Sequence, residues 1–575
     1  VNDFTVLPVI QARVGSTRLP GKALVEIAGR PLTEHVVRRV NRALSKPVLA
    51  LPDTADNDRL AEQAEGWPCH VIRGPEEDVL RRFIKATDNF QEADFIARIT
   101  GDNPLLSMQL LELTAREALR TGAALTSPAL TPLGVSTGIV KIDALREADQ
   151  NADEKADREH VTTWVKRKKK QAQHRFLPPS IYRAPAYRLT VDRQPDLDLI
   201  RELYDRSNTD QLLPTARAIE LLDTNPELLN INCSVRQKYY GGPPTSLHYF
   251  FNCGGEWGHG HRSRFHLLSN EILANSAFKR SFYSTGGPNP STPSDELSIY
   301  IPQTALPITE TRPELNELTI AKDTRRSGAD AVVLDVKQSS RDLVEELQKN
   351  TNVVIGIEDR GDGRDIMDAV FDPNLYPGVL KNDSLAEEKQ FYGPDYALID
   401  PQFSKIDPAP VSSQFKRVGL CFGGTDPAGI AQKFIGEIVE AFPHLDFFHY
   451  GPDPGVKVEN LHCQGIISNP AEEFAGHDFL FISGGVIKFE LAALKRPTAV
   501  ITQNREQTLN TKRFLKYNQI SWPCFDKNSS PQGWHSLLEK AHCQNYRQSM
   551  VDSLEGVVDG RGLQRLLDFL ENKVE

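Results

Sequence analysis

The feature that most constrains this chain is the stretch LPVIQARVGSTRLPGK at residues 7–22. A short run rich in β-branched residues (Val6, Leu7, Val9, Ile10) predicts a buried strand of a parallel sheet. A polar turn follows at once, carrying Arg13, Gly15, Ser16, Thr17, Arg18, Gly21 and Lys22. In an open α/β sheet the loop leaving a strand's carboxyl end is where ligands bind. Gly15 lets backbone amides approach a phosphate, Ser16 and Thr17 add hydroxyls, and Arg13, Arg18 and Lys22 add positive charge. The same residues would also serve as a solvated basic turn, and the pattern is neither a Walker A loop nor GxGxxG.

QARVGSTRLPGKAL resembles the signature loop of CTP-using sugar cytidylyltransferases, in the branch typified by spore-coat polysaccharide enzymes. Relatives in that group activate sialic acid and 3-deoxy-manno-octulosonate. Four further blocks match in order: RGPEEDVLRRF (73–83), RITGDNPL (98–105), REHVT (158–162) and YRLTVDRQPDLDLI (187–200). The resemblance covers about the first 240 residues. It implies that Arg13, Gly15, Ser16 and Lys22 hold the CTP triphosphate, with Arg13 and Lys22 catalytic and Gln11 among the substrate contacts. It also implies base and ribose contacts near Arg73 and Asp78, although Asp78 at a strand-to-helix junction would equally cap its helix. A homodimer through this region is a further expectation.

The first region alternates strands and helices, the pattern of a parallel sheet with covering helices. Strands are expected at 47–51, 69–73 and 95–100, and helices at 56–65 and 78–89. Asp102 in GDNP follows one strand, and Asp192 ends a second expected strand at 187–191. Two carboxylates ending two strands can share one divalent ion, and magnesium favours a few carboxylates plus substrate phosphates. An isolated Asp after a strand is otherwise a turn former. The resemblance implies that both motifs hold Mg2+. Asp196 and Asp198 read as helix-start residues, and the KRKKK run at 166–170 as the solvated end of a helix. In PLGVSTGIVK (132–141), Val135, Ser136 and Thr137 stand where the family usually has a Gly followed by acidic residues. That leaves the acceptor sugar open.

At 575 residues the chain is too long for one ordinary core. A charged fraction of 25% and hydrophobic content of 39% are those of a soluble globular protein, and the net charge of −10 argues against a nucleic-acid binder. The seven cysteines are scattered without a CxxC pair, which fits reduced cytosolic thiols. No apolar run approaches twenty residues, so neither a leader nor a membrane span is expected, and the location expected is cytoplasmic.

YYGGPPTS (239–246) has the composition of a linker, so the domains expected are 1–240, a linker at 241–246, and a second region divided into lobes 247–408 and 409–575. That region restarts with an apolar strand at 247–253 and a glycine-rich turn bearing Gly258, Gly260, His261 and Arg264. A His at a glycine-flanked helix start can be held unprotonated, poised to take a proton, or it can simply cap the turn. His259 beside it has no third ligand spaced to complete a metal site. GxGHxxR resembles the motif of the UDP-sugar hydrolases of pseudaminic acid biosynthesis, themselves built like two-Rossmann (GT-B) glycosyltransferases. GADAVVLD (328–335), YGPDYALIDPQF (392–403), GGTDP (423–427), SGGVIKFELAAL (483–494) and Gln507 follow in order. The resemblance implies His261 as catalytic base, Arg264 and Gln507 among the substrate contacts, and Gly423, Gly424, Gly484 and Gly485 as a diphosphate cradle. Glu490 would accept from ribose hydroxyls. Either glycine turn alone would also serve helix–strand packing. Val486, Asp400 and Val336 depart from the family's usual residues.

The expectation is therefore an α/β fusion: a Rossmann-like nucleotidyltransferase followed by a two-lobed GT-B region. It would join CTP to a sugar acid or sugar phosphate, and cleave a UDP- or CDP/CMP-linked sugar. The second region reads alternatively as a glycosyltransferase or as a non-catalytic nucleotide-sugar-binding module, because fold does not fix function.

Overall fold

A computed structural model describes residues 6–88, 90, 92–209, 211–235, 246–252, 264, 267–268, 280–286, 307–312, 315–376, 379, 385–407, 410–423, 426, 428–465, 467 and 469–574. The chain divides into two compact units, Val1–Pro243 and Pro244–Glu575.

The first unit is built on a seven-stranded sheet. Its order is His70–Gly74, Val48–Pro52, Val6–Gln11, Phe95–Thr100, Gly138–Lys141, Leu125–Pro128, Gln173–Phe176. The sheet is mixed, where the alternation of strands and helices predicts a parallel one. Gly138–Lys141 runs antiparallel to both of its neighbours. It is joined to Leu125–Pro128 by residues 129–137, a link too short for the crossover a parallel pair requires. Alternating side chains divide between two cores. Val6, Ile10, Ala97 and Ile99 pack on one face, and Leu7, Val9, Ile96 and Val140 on the other, under helices Val79–Thr87 and Ile142–Asn151.

A second correction concerns 187–191, which forms no strand of the sheet. It makes an isolated bridge between Leu133 and Arg188, and its backbone is tied to two loops instead. Leu189 donates to the Leu133 carbonyl at 2.8 Å and Val191 to the Asp102 carbonyl at 2.9 Å. Tyr187, Leu189 and Val191 supply the core beneath helix Gln194–Ser207. The KRKKK run closes helix Thr163–Lys168 at the surface, as its charge predicts.

The second unit holds two all-parallel sheets. One has the order Pro307–Arg312, Arg280–Gly286, Ser246–Asn252, Ala331–Asp335, Val353–Ile357, Ala369–Asp372, Gln390–Tyr392. The other runs Leu461–Cys463, Asp446–His449, Arg417–Cys421, Phe479–Ile482, Thr498–Thr502, Cys524–Asp526. Counting strands within each sheet, both begin 3-2-1-4-5-6, the doubly wound Rossmann order. The unit is thus a double Rossmann, GT-B-like body. Near-continuous apolar strands such as AVVLD and FLFI suit sheets covered on both faces.

The expected lobe division at 408/409 is crossed twice. Ala397, Ile399 and Phe403 pack in the core of the second sheet. In return Leu563, Leu566, Leu567 and Leu570, on helix Gly562–Val574, pack against Leu247, Tyr249 and Phe371 of the first. A helix with an apolar stripe at that spacing must bury it, and the first sheet offers the open face.

Candidate active site

In the first unit the loop after Val6–Gln11 opens into a cavity of about 680 Å³. Gln11, Arg13, Ser16, Lys22, Asp102 and Asp192 all line it. Lys22 Nζ donates to Asp102 Oδ2 at 2.8 Å, to Asp192 Oδ1 at 3.0 Å and to the Val191 carbonyl at 3.0 Å. Arg18 and Arg188 donate to the two oxygens of Asp192, each at 3.0 Å. Burial opposes the charge on Lys22, but Asp102 and then Asp192 outweigh it and hold its pKa above the ordinary value. Burial likewise opposes ionisation of Asp192. Lys22, Arg18 and Arg188 reverse that and hold it below the usual carboxylate range. Three charge-bearing side chains from three separate segments therefore meet at one point.

Backbone geometry fixes that meeting. Gly21 (φ +69°) turns the chain so that Lys22 enters a short helical turn, Lys22–Leu24. Gly134 (φ +97°) lies so close to the Asp192 segment that a Cβ there would sit 2.5 Å from the Thr190 nitrogen. Asp196, buried at the start of its helix, accepts from Arg188 Nε at 2.8 Å and from the Asp192 and Arg193 backbone amides.

Gly15 is exposed, and a side chain there would meet nothing within 4 Å. Ser16 Oγ accepts from the Leu19 amide at 3.3 Å, so it closes the turn as well as facing the cavity. Gln11 Oε1 is buried without a hydrogen-bond partner among the described residues, which marks it for a ligand's donor.

Two expected contacts are placed elsewhere. Arg73 does not line this cavity: it donates to Asp58 at 2.6 Å and to the Pro52 and Thr54 carbonyls. Asp78 caps helix Val79–Thr87 through the Arg81 amide at 2.9 Å and accepts from Arg158 at 3.1 Å. Both brace the rim. Ser136 of the acceptor stretch lines the cavity, as do Arg82, Arg98 and His160, which were not singled out. Arg98 lies four residues before Asp102 on the strand, in phase with Thr100, a signal available in RITGD.

In the second unit His261, Gly258, Gly260, His259 and Gly424 lie outside the described residues. Arg264 is engaged within the unit. It donates to Asp335 at 2.7 Å and 3.1 Å and to Glu358 at 2.8 Å, and Tyr249 donates to Asp335 at 2.6 Å. Asp335 is fully buried and Arg264 nearly so. The turn after Phe479–Ile482 separates its two glycines. A Cβ at Gly484 would meet Thr511 Oγ1 at 2.8 Å, so that glycine admits helix Arg505–Tyr517, the packing role. Gly485 has nothing nearer than Ser483 Oγ at 3.8 Å. Gln507 Oε1 accepts from the Gln503 amide at 3.0 Å and so holds the neighbouring loop. Gly423 (φ +96°) follows the first strand of the same sheet. Burial, with Asp400 adding to it, pushes Glu490 up to about 7. Lys488 was not anticipated. It is buried, donates to Asn374 Oδ1 at 3.0 Å and to the Gly484 and Gly485 carbonyls at 3.2 Å, and burial brings it down to about 8.

The cytidylyltransferase family profile matches residues 7–218. The spore coat polysaccharide biosynthesis protein SpsF of Bacillus subtilis is 33% identical over 235 residues, covering 40% of this chain and 97% of that protein. The chain belongs to the cytidylyltransferase family. The 3-deoxy-manno-octulosonate cytidylyltransferase of Proteus mirabilis is 33% identical over 129 residues, 22% of this chain and 50% of that enzyme. The Acinetobacter baumannii MurG structure is 12% identical, with a TM-score of 0.39 over 57% of this chain and 100% of that one. The family match lies within the first unit, the unit that holds the Lys22–Asp102–Asp192 meeting point. Among the described residues no helix is long and apolar enough to cross a membrane, and no group of three or more His, Cys, Asp or Glu is placed to hold a metal ion.

Proposed function

We propose that the first unit transfers the cytidylyl group of CTP to a sugar acid of the ulosonic type, releasing pyrophosphate. The observation that carries the reading is the convergence of Lys22, Asp102 and Asp192 on one wall of a ligand-sized cavity in a cytidylyltransferase. The named activity of the octulosonate relative supports the acceptor class. An acceptor hydroxyl oxygen bonds to the α-phosphorus of CTP while the bond from that phosphorus to the pyrophosphate oxygen breaks and the hydroxyl proton is lost. Arg13, Arg18 and Lys22 bind the triphosphate's negative charge, and Gln11 Oε1 accepts a hydrogen bond from the nucleoside.

Two carboxylate oxygens lying within 3.0 Å of a single cationic nitrogen form a donor set that fits Mg2+. Asp102 and Asp192 would hold that ion, which would neutralise charge on the reacting phosphates. Lys22 keeps the two carboxylates together beforehand, and is then available to the triphosphate. Asp102→Asn and Asp192→Asn should each lower pyrophosphate release from CTP and 3-deoxy-manno-octulosonate by at least about a hundredfold. Near-normal rates in both variants would remove these residues from the chemistry.

For the second unit we propose hydrolysis of a nucleotide sugar with His261 as base. Two Rossmann sheets and the open Gly485 turn support nucleotide binding. His261→Ala should lower free-sugar release from UDP- or CDP-sugars by roughly a hundred- to ten-thousand-fold while nucleotide binding persists. Sugar appearing only on an added acceptor would instead identify a glycosyltransferase, and failure to bind any nucleotide sugar a non-catalytic module.

A further inference from the structure

One wall of the cytidylyltransferase cavity carries positive charge that the triphosphate loop does not need. Arg98 projects from the central strand Phe95–Thr100 into the cavity, in phase with Thr100. Its side chain makes no hydrogen bond or ion pair with any described residue, and its Nε is buried without a partner. A guanidinium has five donors and cannot shed its charge, so leaving one without partners at a cavity wall is costly unless a ligand completes it. Its neighbours do not compensate. Arg82, 2% exposed, lines the same cavity with its own Nε buried and unpartnered. Burial first, and then the like charges of Arg98 and Arg175, lower the pKa of Lys166. The nearest carboxylate field acting on Arg98 is that of Asp102, which is already engaged by Lys22.

Resting on the cytidylyl-transfer reading above, we infer that Arg98 binds the carboxylate of the acceptor, the carboxylate borne by the same carbon as the attacking hydroxyl. In a ulosonic acid these two groups are geminal, so the cation that holds the acid must stand close to the reacting phosphorus. Arg98 meets that requirement: it stands on strand Phe95–Thr100, whose exit turn carries Asp102, the carboxylate whose field reaches it. Ser136 and Thr100 line the cavity beside it as neutral partners. The planar guanidinium fork matches a carboxylate through two parallel hydrogen bonds, which an ammonium does not reproduce.

The test compares steady-state kinetics of the full chain and Arg98→Gln with CTP, Mg2+ and either 3-deoxy-manno-octulosonate or its carboxamide. Loss of a charged hydrogen-bond pair predicts an acceptor KM raised roughly ten- to a hundredfold with the CTP KM unchanged. The preference of wild type for acid over amide should disappear in the variant. Arg98→Lys keeps the charge without the fork and should show a smaller rise; it replaces Arg98→Gln if that variant does not fold. An unchanged acceptor KM, or a CTP KM raised to the same degree, overturns the assignment. So does wild type accepting the amide as readily as the acid, or using a sugar phosphate in place of both. Wild type inert with every acceptor yet binding CTP would overturn the transfer reading itself, a different result from an active enzyme indifferent to Arg98.

Discussion

The surroundings of Glu490 and Asp192 shift their pKa values in opposite directions, and each shift carries a measurable consequence. Glu490 is raised to about 7, from an ordinary 4.5, by burial and by Asp400. A raised carboxylate binds its proton more tightly in the folded chain than in the unfolded one. Its contribution to stability is therefore present at low pH and declines as pH rises from about 4.5 to about 7. Glu490→Gln should remove that decline, leaving the second unit more stable than wild type at pH 8 and equal to it at pH 4. Denaturant titrations at the two pH values measure this; identical pH dependence in variant and wild type would show that Glu490 titrates normally. The opposite sign applies to Asp192, whose lowered pKa gives stability that is complete above the usual carboxylate range and lost only in stronger acid.

Elements decide which residues are free to meet a ligand. The loop Gln11–Lys22 was legible because its charge, glycine and hydroxyls are local. Asp102 and Asp192 were legible because each follows an apolar run. What could not be read was commitment to partners distant in sequence. Arg73 and Asp78 sit at a strand-to-helix junction exactly as a ligand contact would, but Asp58 and Arg158 claim them. The strand expected at 187–191 fails for the same reason: its hydrogen bonds go to Leu133 and Asp102. Arg264 is the clearest case, since a motif arginine is the partner of a buried Asp335 at the end of strand Ala331–Asp335. Arg264→Ala would strip that buried carboxylate of its cationic partner while Tyr249 still donates to it, and should destabilise the second unit by about 3–5 kcal/mol. Thermal unfolding of the second unit checks this. A variant of unchanged stability with weakened nucleotide-sugar binding would return Arg264 to the ligand.

At the scale of the whole molecule, two units with separate sheets and cores share one chain. The three sheets were foreseeable from alternating apolar runs and turn residues. The two crossings between lobes of the second unit were not, because a stripe of leucines does not say which face it will cover. Deleting residues 562–574 should expose Leu247, Tyr249 and Phe371. Unfolding should then become biphasic, with the first lobe melting before the second, while CTP turnover by the first unit is kept. A single unchanged transition would mean that the helix adds nothing to that core.

That returning helix also orders events in time. On a ribosome the nucleotidyltransferase unit emerges with every strand it needs and can close its sheet early. The first lobe that follows is different: its seven strands are made long before residues 562–574 that cover them. It must wait through synthesis of the entire second lobe with an apolar face open to water. Slow translation or heat shock during that interval should strike this lobe first, so chaperone dependence would concentrate there rather than in the unit that handles CTP.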